Sequence, residues 1–432
     1  MKAVVVAALG CAVGSVAPLA GQTARPAAPP RAAEAMVRQD LSVLAADSLE
    51  GRFTGTPAAD AVARYLARRL GDLGVKPAPQ GWLQEFSIAA TVPGVRTFPR
   101  RCVPGAGSTS SGVILGRDPA RRNEYVVVGA HYDHLGHGES RSSSLGAAGE
   151  IYNGADDNAS GTVALLDVAR QLVRRPPARS VVLVAFAGEE LGLLGSAAYV
   201  AHPAVPLEQT VAMVNLDMVG RLRNDRLLVY GSETATEFPA LLDSLNAGGR
   251  FDLHYSGDGF GRSDQQSFYV AKKPVLHLFT DLHEDYHRPS DDWDKINVAG
   301  VVKVATYTAD ITRAIADRKT PLTFVFKAPP PPPVAASGQP SSGYGAYFGS
   351  IPDMASGGPG VRLSGVRPDS PADKAGLKEG DVLLSIGRFD VPDLQGMTEA
   401  LRNHKPGDTA TVRFRRGAAV DSATVVFGRR GG

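Results

Sequence analysis

Glu124-Tyr-Val-Val-Val-Gly-Ala-His131-Tyr-Asp133 is the stretch on which the fold is decided. Its apolar, β-branched run is short and ends on a histidine with an acid two residues later, which predicts a buried strand whose carboxyl end carries chemistry. The same pattern returns in Ser180 to Ala187, followed by Glu189 and Glu190, and in Thr210 to Leu216, followed by Asp217. Helical stretches, Gly161 to Val173 and Leu191 to Ala201, separate these runs. The alternation predicts an α/β fold with a mostly parallel sheet flanked by helices. Working outward, Ala59 to Leu73 has Val62, Tyr65, Leu66 and Leu70 at helical spacing, with Gly74 as the stop. Asn297 to Asp317 carries one apolar stripe, Val298, Val301, Ala305, Thr308, Ile311 and Ile315, and predicts a closing helix.

Side chains at the carboxyl ends of strands in such sheets gather at one edge, so His131, Asp133, Glu189, Glu190 and Asp217 are expected to converge. Asp156 and Asp157 join them from the polar loop Gly154-Ala-Asp-Asp-Asn-Ala-Ser-Gly161. Imidazole with carboxylates and no thiolate favours Zn, Mn or Co, and the candidates outnumber what one open tetrahedral ion can use. Two ions are therefore expected. In the His-x-Asp pair, Asp133 is placed to accept the second ring N–H of a metal-bound His131 and fix its tautomer. Of the adjacent Glu189 and Glu190, one can bind metal while the other faces a water as general base. His283-Glu-Asp-Tyr-His287 formally matches the helical zincin signature, but the strand-like Val275 to Phe279 ends just before it and Pro289 follows, leaving no room for that helix. His134, His137, His202, His254, His277 and His404 are read as ordinary surface or core histidines.

The 432 residues exceed one average domain. With 43% hydrophobic and 21% charged residues the chain is globular, and a net charge of +2 gives no general attraction for nucleic acid or membrane. Two cysteines exclude a disulfide scaffold and a thiolate zinc cluster. Lys2 followed by apolar Ala3 to Ala20 reads as a signal peptide over residues 1–20, shorter than a membrane span and broken by Gly10, Gly14 and Pro18. Export to the periplasm or the exterior is the expectation. Pro329 to Pro333 and the Ser/Gly/Ala stretch after it predict a linker over 328–343. It divides a catalytic domain, 31–320, from a small domain, 344–430.

Five motifs, Gly-Ala-His131-Tyr-Asp133, Gly154-Ala-Asp-Asp157-Asn-Ala-Ser-Gly161, Ala187-Gly-Glu189-Glu190-Leu-Gly, Asn215-Leu-Asp217-Met and Tyr286-His287-Arg-Pro-Ser-Asp291, together resemble the M28 family of dizinc aminopeptidases. The resemblance covers about residues 34 to 318 and includes Glu50-Gly-Arg-Phe-Thr-Gly-Thr-Pro57. It implies one zinc on His131 and Asp217, a second on Glu190 and His287, and Asp157 bridging them. Glu189 then becomes the general base, and Tyr286 a donor to the developing oxyanion. Gln265 departs from the family, in which a histidine often follows the acid of Ser263-Asp264.

Tyr347-Phe348-Gly349, Ser370-Pro-Ala-Asp-Lys-Ala-Gly-Leu377, Asp381 to Ile386 and a helical Leu394 to Asn403 resemble a PDZ domain, a small α+β fold. That resemblance implies an exposed strand edge that pairs with an extended peptide, whose terminal carboxylate meets backbone N–H groups around Phe348, Gly349 and Ser350. The function expected for the whole chain is removal of N-terminal residues from peptides by metal-activated water. The alternatives are another enzyme on the dizinc scaffold, a carboxypeptidase or glutaminyl cyclase, and a PDZ-led peptide-binding protein.

Overall fold

The computed structural model describes Met1 and residues 30–88, 107–138, 149–261, 263–327, 346–352, 360–392, 396–397, 400–401 and 403–428. The signal segment and the linker expected at 328–343 lie outside them, as does part of the helix expected at Leu394 to Asn403. Among the described residues no helix is long and apolar enough to cross a membrane.

Among the described residues nine strands form the sheet of the N-terminal part. They are β1 (Lys76–Pro77), β2 (Leu83–Phe86), β3 (Gly107–Ile114), β4 (Tyr125–His131), β5 (Ser180–Phe186), β6 (Thr210–Leu216), β7 (Arg226–Tyr230), β8 (Asp252–Ser256) and β9 (Val275–Phe279). The order is β1-β3-β5-β4-β6-β9-β7-β8, with β2 added on β3. The central β5-β4-β6-β9 block is parallel, as the alternation predicts, while β3 joins β5 and β7 joins β9 antiparallel. The sheet is thus mixed, with a parallel block of four strands at the centre and a further parallel pair, β7 and β8, at one edge.

Among the described residues seven α-helices accompany it: α1 (Pro30–Leu44), α2 (Pro57–Asp72), α3 (Gly161–Arg174), α4 (Leu194–Ala201), α5 (Phe238–Leu245), α6 (Gln265–Val270) and α7 (Val298–Asp317). Successive side chains of a strand point to opposite faces, and the core divides accordingly. Val126, Val128, Leu183 and Val214 pack under α1, α2, α3, α5 and α7. Val127, Val182, Val184 and Met213 face Tyr199 of α4 and Phe268 and Tyr269 of α6. Strands buried on both faces must be apolar throughout, which is why they read as continuous runs. Thr56 accepts the Ala59 N–H at the start of α2 and Asn297 accepts the Gly300 N–H at the start of α7, each capping its helix through its side chain.

The C-terminal part has a separate antiparallel sheet of β10 (Ser350–Pro352), β11 (Val361–Val366), β12 (Val382–Ile386), β13 (Phe389–Asp390), β14 (Thr409–Arg416) and β15 (Ala419–Val426), with the short helix α8 (Pro371–Lys374). Its own core holds Phe348, Leu363, Leu383, Val412 and Phe427.

Candidate metal centre

Strand register decides where the acids and histidines end up. In the parallel pairs His131 stands opposite Phe186, Gly129 opposite Asn215, and Leu216 opposite Leu278, so β4, β5, β6 and β9 finish at a common edge. His131 closes β4, Asp133 follows it, Glu189 and Glu190 follow β5, and Asp217 follows β6. The loop after β9 brings His287, and the polar turn Ala155–Ser160 before α3 brings Asp157. His287 and Met218, next to Asp217, hold φ of 56° and 50°. Side chains with a Cβ keep such a backbone only where the surroundings fix it.

The two oxygens of Asp157 face two different sets of candidate donors. Asp157 Oδ1 is 3.3 Å from His131 Nε2, and Asp217 Oδ1 is 3.4 Å from that nitrogen. Asp157 Oδ2 is 3.0 Å from His287 Nε2, and Glu190 Oε2 is 3.5 Å from that nitrogen. Ligands held at about 2.0–2.1 Å around a tetrahedral ion stand about 3.3 Å from one another, so all four separations suit pairs of ligands sharing an ion. Among the described residues Asp217 Oδ1 is buried without a hydrogen-bond partner, which is how a carboxylate oxygen reserved for a cation would stand. The donor set is nitrogen and oxygen only, and it fits zinc. Glu189 Oε2, 4.0 Å from His131 Nε2, stands beside this set rather than in it.

Polar groups behind the cluster hold it in place. His131 Nδ1 lies 3.2 Å from the Asp133 carbonyl and 3.5 Å from Asp133 Oδ1, so both the backbone and the carboxylate of Asp133 orient the ring. Thr54 Oγ1 donates to Asp133 Oδ2 at 2.9 Å and accepts the Gly188 N–H at 2.8 Å, and the Glu189 N–H reaches Asp133 Oδ1 at 3.2 Å. Ser263 Oγ donates to Asp217 Oδ2 at 2.6 Å, and Asn215 Nδ2 donates to both Ser263 Oγ and Gln265 Oε1. Gln265 therefore takes part in orienting Asp217 although it departs from the family pattern. The loop carrying His287 is tied by Arg221, which reaches both Asp285 and Asp291 at 3.0 Å.

Arg52 is buried and donates to the carbonyls of Leu44, Tyr132, Asn153 and Gly154, at 2.6 to 2.9 Å. It joins the segment after β4 to the segment that leads into Asp157. Burial pulls its pKa down to about 10 against the raising fields of Asp133, Asp157, Asp291 and Glu190.

Burial, reinforced by Glu190, Asp217 and Asp264 and opposed by His131, pushes Glu189 well above the usual carboxylate range. Burial pushes Asp157 the same way, yet hydrogen bonds with His131 and His287 hold it well below that range. Burial works against a charge on His131, but Asp217, Glu189, Asp133 and Asp157 outweigh it and raise its pKa well above the usual imidazole value. Burial, with Asp133 and Asp217, lifts Asp264 to about 7. Carboxylates thus outnumber side-chain cations in a desolvated pocket, an imbalance that divalent cations would offset.

All five expected ligands and Glu189 come together. The zincin reading is excluded by the backbone: residues 281–292 are turns and loop, and His283 Nε2 faces Asp156 Oδ2 at 3.0 Å, away from the pair around Asp157. The Tyr286 ring stacks on His287, with centroids 3.7 Å apart. In the PDZ-like part Phe348 is 2% exposed and belongs to the core, so its side chain offers nothing to a peptide. Gly349 has φ 84°, and a Cβ there would fall 2.2 Å from Ser370 Cβ; Ser350 Oγ is buried with no partner among the described residues. Sequence reasoning missed His134, read as an ordinary histidine. Its Nδ1 is 2.7 Å from Glu190 Oε1. Arg52 and Thr54 stand in Glu50-Gly-Arg-Phe-Thr-Gly-Thr-Pro57, where the sequence alone gives them no role.

Fold and site together define an α/β protein with a cluster of histidines and carboxylates, able to hold metal, at the carboxyl edge of its sheet. Residues 112–312 match Peptidase family M28 and residues 345–426 match the PDZ domain, so both resemblances drawn from the motifs are borne out. Aminopeptidase YwaD of Bacillus subtilis (strain 168) is 36% identical over 239 residues, 50% of this chain and 47% of that protein. The chain spans about half the length of the curated relatives it matches. Among solved structures, the fold is similar to BSAP, a zinc aminopeptidase from Bacillus subtilis, with a TM-score of 0.51 and 17% identity over 67% of this chain and 98% of that one. It is also similar to Bacteroides thetaiotaomicron glutaminyl cyclase, with a TM-score of 0.50 and 17% identity over 67% of this chain and 98% of that one.

Proposed function

We propose that the chain is an exported, zinc-dependent aminopeptidase that removes N-terminal residues from peptides. The observation that carries this reading is Asp157, whose two oxygens each face a histidine, His131 and His287, at distances suited to ligands of two ions. His131 and Asp217 would hold one zinc, Glu190 and His287 the other, with Asp157 between them. Two zinc ions bound there would polarise the scissile carbonyl and acidify a water nucleophile.

The chain's residues supply the rest. Glu189 accepts the proton of the attacking water and returns it to the leaving amine, a role favoured by the burial that raises its basicity. Asp133 keeps the His131 ring in register, and the Tyr286 hydroxyl donates to the oxygen on which charge develops. At the PDZ-like domain, backbone N–H groups of Phe348, Gly349 and Ser350 would receive an extended or C-terminal peptide.

A second reading has a specific source, since a glutaminyl cyclase shares the fold. The deciding experiment compares leucine anilide with N-acetyl-leucine anilide and with an N-terminal glutaminyl peptide. Release of amine from the free-amino anilide alone, lost on chelation and recovered with zinc, is expected. Cyclisation of the glutaminyl peptide without anilide cleavage would favour the cyclase. Cleavage of the blocked substrate, or no turnover with both ions bound, would defeat the aminopeptidase reading.

A further inference from the structure

We infer that His134 is a positioning residue for Glu190, holding that carboxylate so that its other oxygen is presented to the second ion. The inference rests on the two-ion reading above.

His134 is fully buried. Its Nδ1 lies 2.7 Å from Glu190 Oε1, while Glu190 Oε2 is the oxygen that faces His287 Nε2 at 3.5 Å. One oxygen of Glu190 is thus engaged by His134 and the other is free to bind in a monodentate way. A carboxylate fixed by an N–H at one oxygen loses the rotation that would turn it away from a metal, and such supports contribute about 10- to 100-fold in metal affinity.

The separations distinguish a support from a ligand. A pair of atoms on one tetrahedral ion stands about 3.3 Å apart. His134, Asp157 and Glu190 offer atoms close enough to share an ion, but His134 Nδ1 stands at hydrogen-bond distance from Glu190 Oε1, 2.7 Å, and 4.0 Å from Asp157 Oδ2, which is the spacing of a support rather than of a ligand. The short contact is a hydrogen bond from Nδ1–H to the carboxylate.

The ring has a built slot. A Cβ on Gly154, whose φ is 52°, would fall 2.4 Å from His134 Cγ and Cδ2, so the close approach of ring and backbone requires glycine there. The carbonyl of Gly154 is held by Arg52 at 2.9 Å, and the His134 N–H reaches the Arg52 carbonyl at 3.4 Å. Asp133 and His134, adjacent in sequence, then serve different ions: the first orients His131 and the second orients Glu190.

The test is a zinc titration of the full-length protein, stripped with a chelator and followed by competition with a chromogenic chelator, for wild type, His134→Leu, His134→Asn and His134→Gln. Unfolding temperatures are measured alongside. The Asn amide places an N–H where Nδ1–H stood, whereas the Gln amide reaches toward the Nε2 position. Expected are a roughly 10- to 100-fold weaker second ion in His134→Leu, with the first ion unchanged, recovery in His134→Asn, and little recovery in His134→Gln. If His134→Leu does not fold, the contrast between Asn and Gln carries the test. Unchanged affinities, equal weakening of both ions, or equal behaviour of Asn and Gln would overturn the proposal. A nitrogen ligand lost from the visible spectrum of the cobalt-loaded Asn variant would make His134 a ligand and overturn it too. If wild type binds fewer than two ions, the two-ion reading fails instead.

Discussion

Asp291 Oδ2 accepts the backbone N–H of Asp157 at 3.0 Å, across 134 positions of sequence. The same oxygen accepts the Asp156 N–H at 2.8 Å, and Oδ1 accepts Arg221. The loop that carries His287 is thereby pinned to the turn that carries Asp157, so the spacing of these two candidate ligands depends on one buried carboxylate. Asp291→Asn is expected to lower stability by about 1–3 kcal/mol, because either amide orientation turns donors toward N–H groups. Zinc affinity should fall with it. Denaturant unfolding and zinc titration check both effects.

Glu189→Gln should retain both ions and lose about 10²- to 10⁴-fold in kcat, since the amide keeps the shape but cannot accept a proton. His287→Ala should lose one ion, and His283→Ala should lose none while unfolding more readily, because His283 is buried against Asp156. Metal analysis of the three purified variants decides the assignments. Near-normal turnover in Glu189→Gln would remove it as the base.

A pH dependence follows from His277. Burial drives its pKa from 6.5 down to about 4, and its ring lies 5.5 Å from Tyr230 and 5.9 Å from Phe279. Below 6.5 the unfolded chain takes up a proton that the folded chain refuses until about pH 4. Stability is therefore lost as pH falls through that window, by about 3 kcal/mol in full. His277→Phe should show a shallower fall of Tm between neutral pH and 4.5 than wild type; parallel curves would contradict the assignment.

Truncation after Lys327 should leave a folded domain that cleaves small anilides at close to the full-length rate, since every proposed ligand precedes that point. A cut after residue 320 should not. The Val325 N–H donates to the Thr234 carbonyl at 2.9 Å, the Lys327 N–H donates to the Tyr269 hydroxyl at 2.7 Å, and Phe326 stacks on Tyr269 at 5.3 Å. Thermal unfolding and kcat/KM of both truncations test this; a large loss of activity in the longer one while it stays folded would give the C-terminal domain a share in the site.

The central strands were legible because burial on both faces leaves an unbroken apolar run, and β6 and β9 were bounded to the residue. The start of α4 was less so. Leu191 to Leu193 continue the helical spacing, but the Gly192 and Leu193 N–H groups both turn back to the Glu189 carbonyl and α4 begins at Leu194. Of the antiparallel flank, β1 and β2 were hidden because they are too short to show a period. His134 escaped because one histidine beside a motif has no spacing of its own, and Arg52 because its partners are carbonyls, which every residue has.

The sequence alone determined the fold class, the kinds of donor at each strand end and the family to which they point, because these rest on local apolar period and residue chemistry. Tertiary structure decided which donors meet. The distances of about 3 Å that relate Asp157 to His131 and His287 arise from the parallel register of β4, β6 and β9 and from the anchoring of loops by Asp291 and Arg52. Those contacts join residues far apart in the chain, and packing, which no local pattern encodes, sets them.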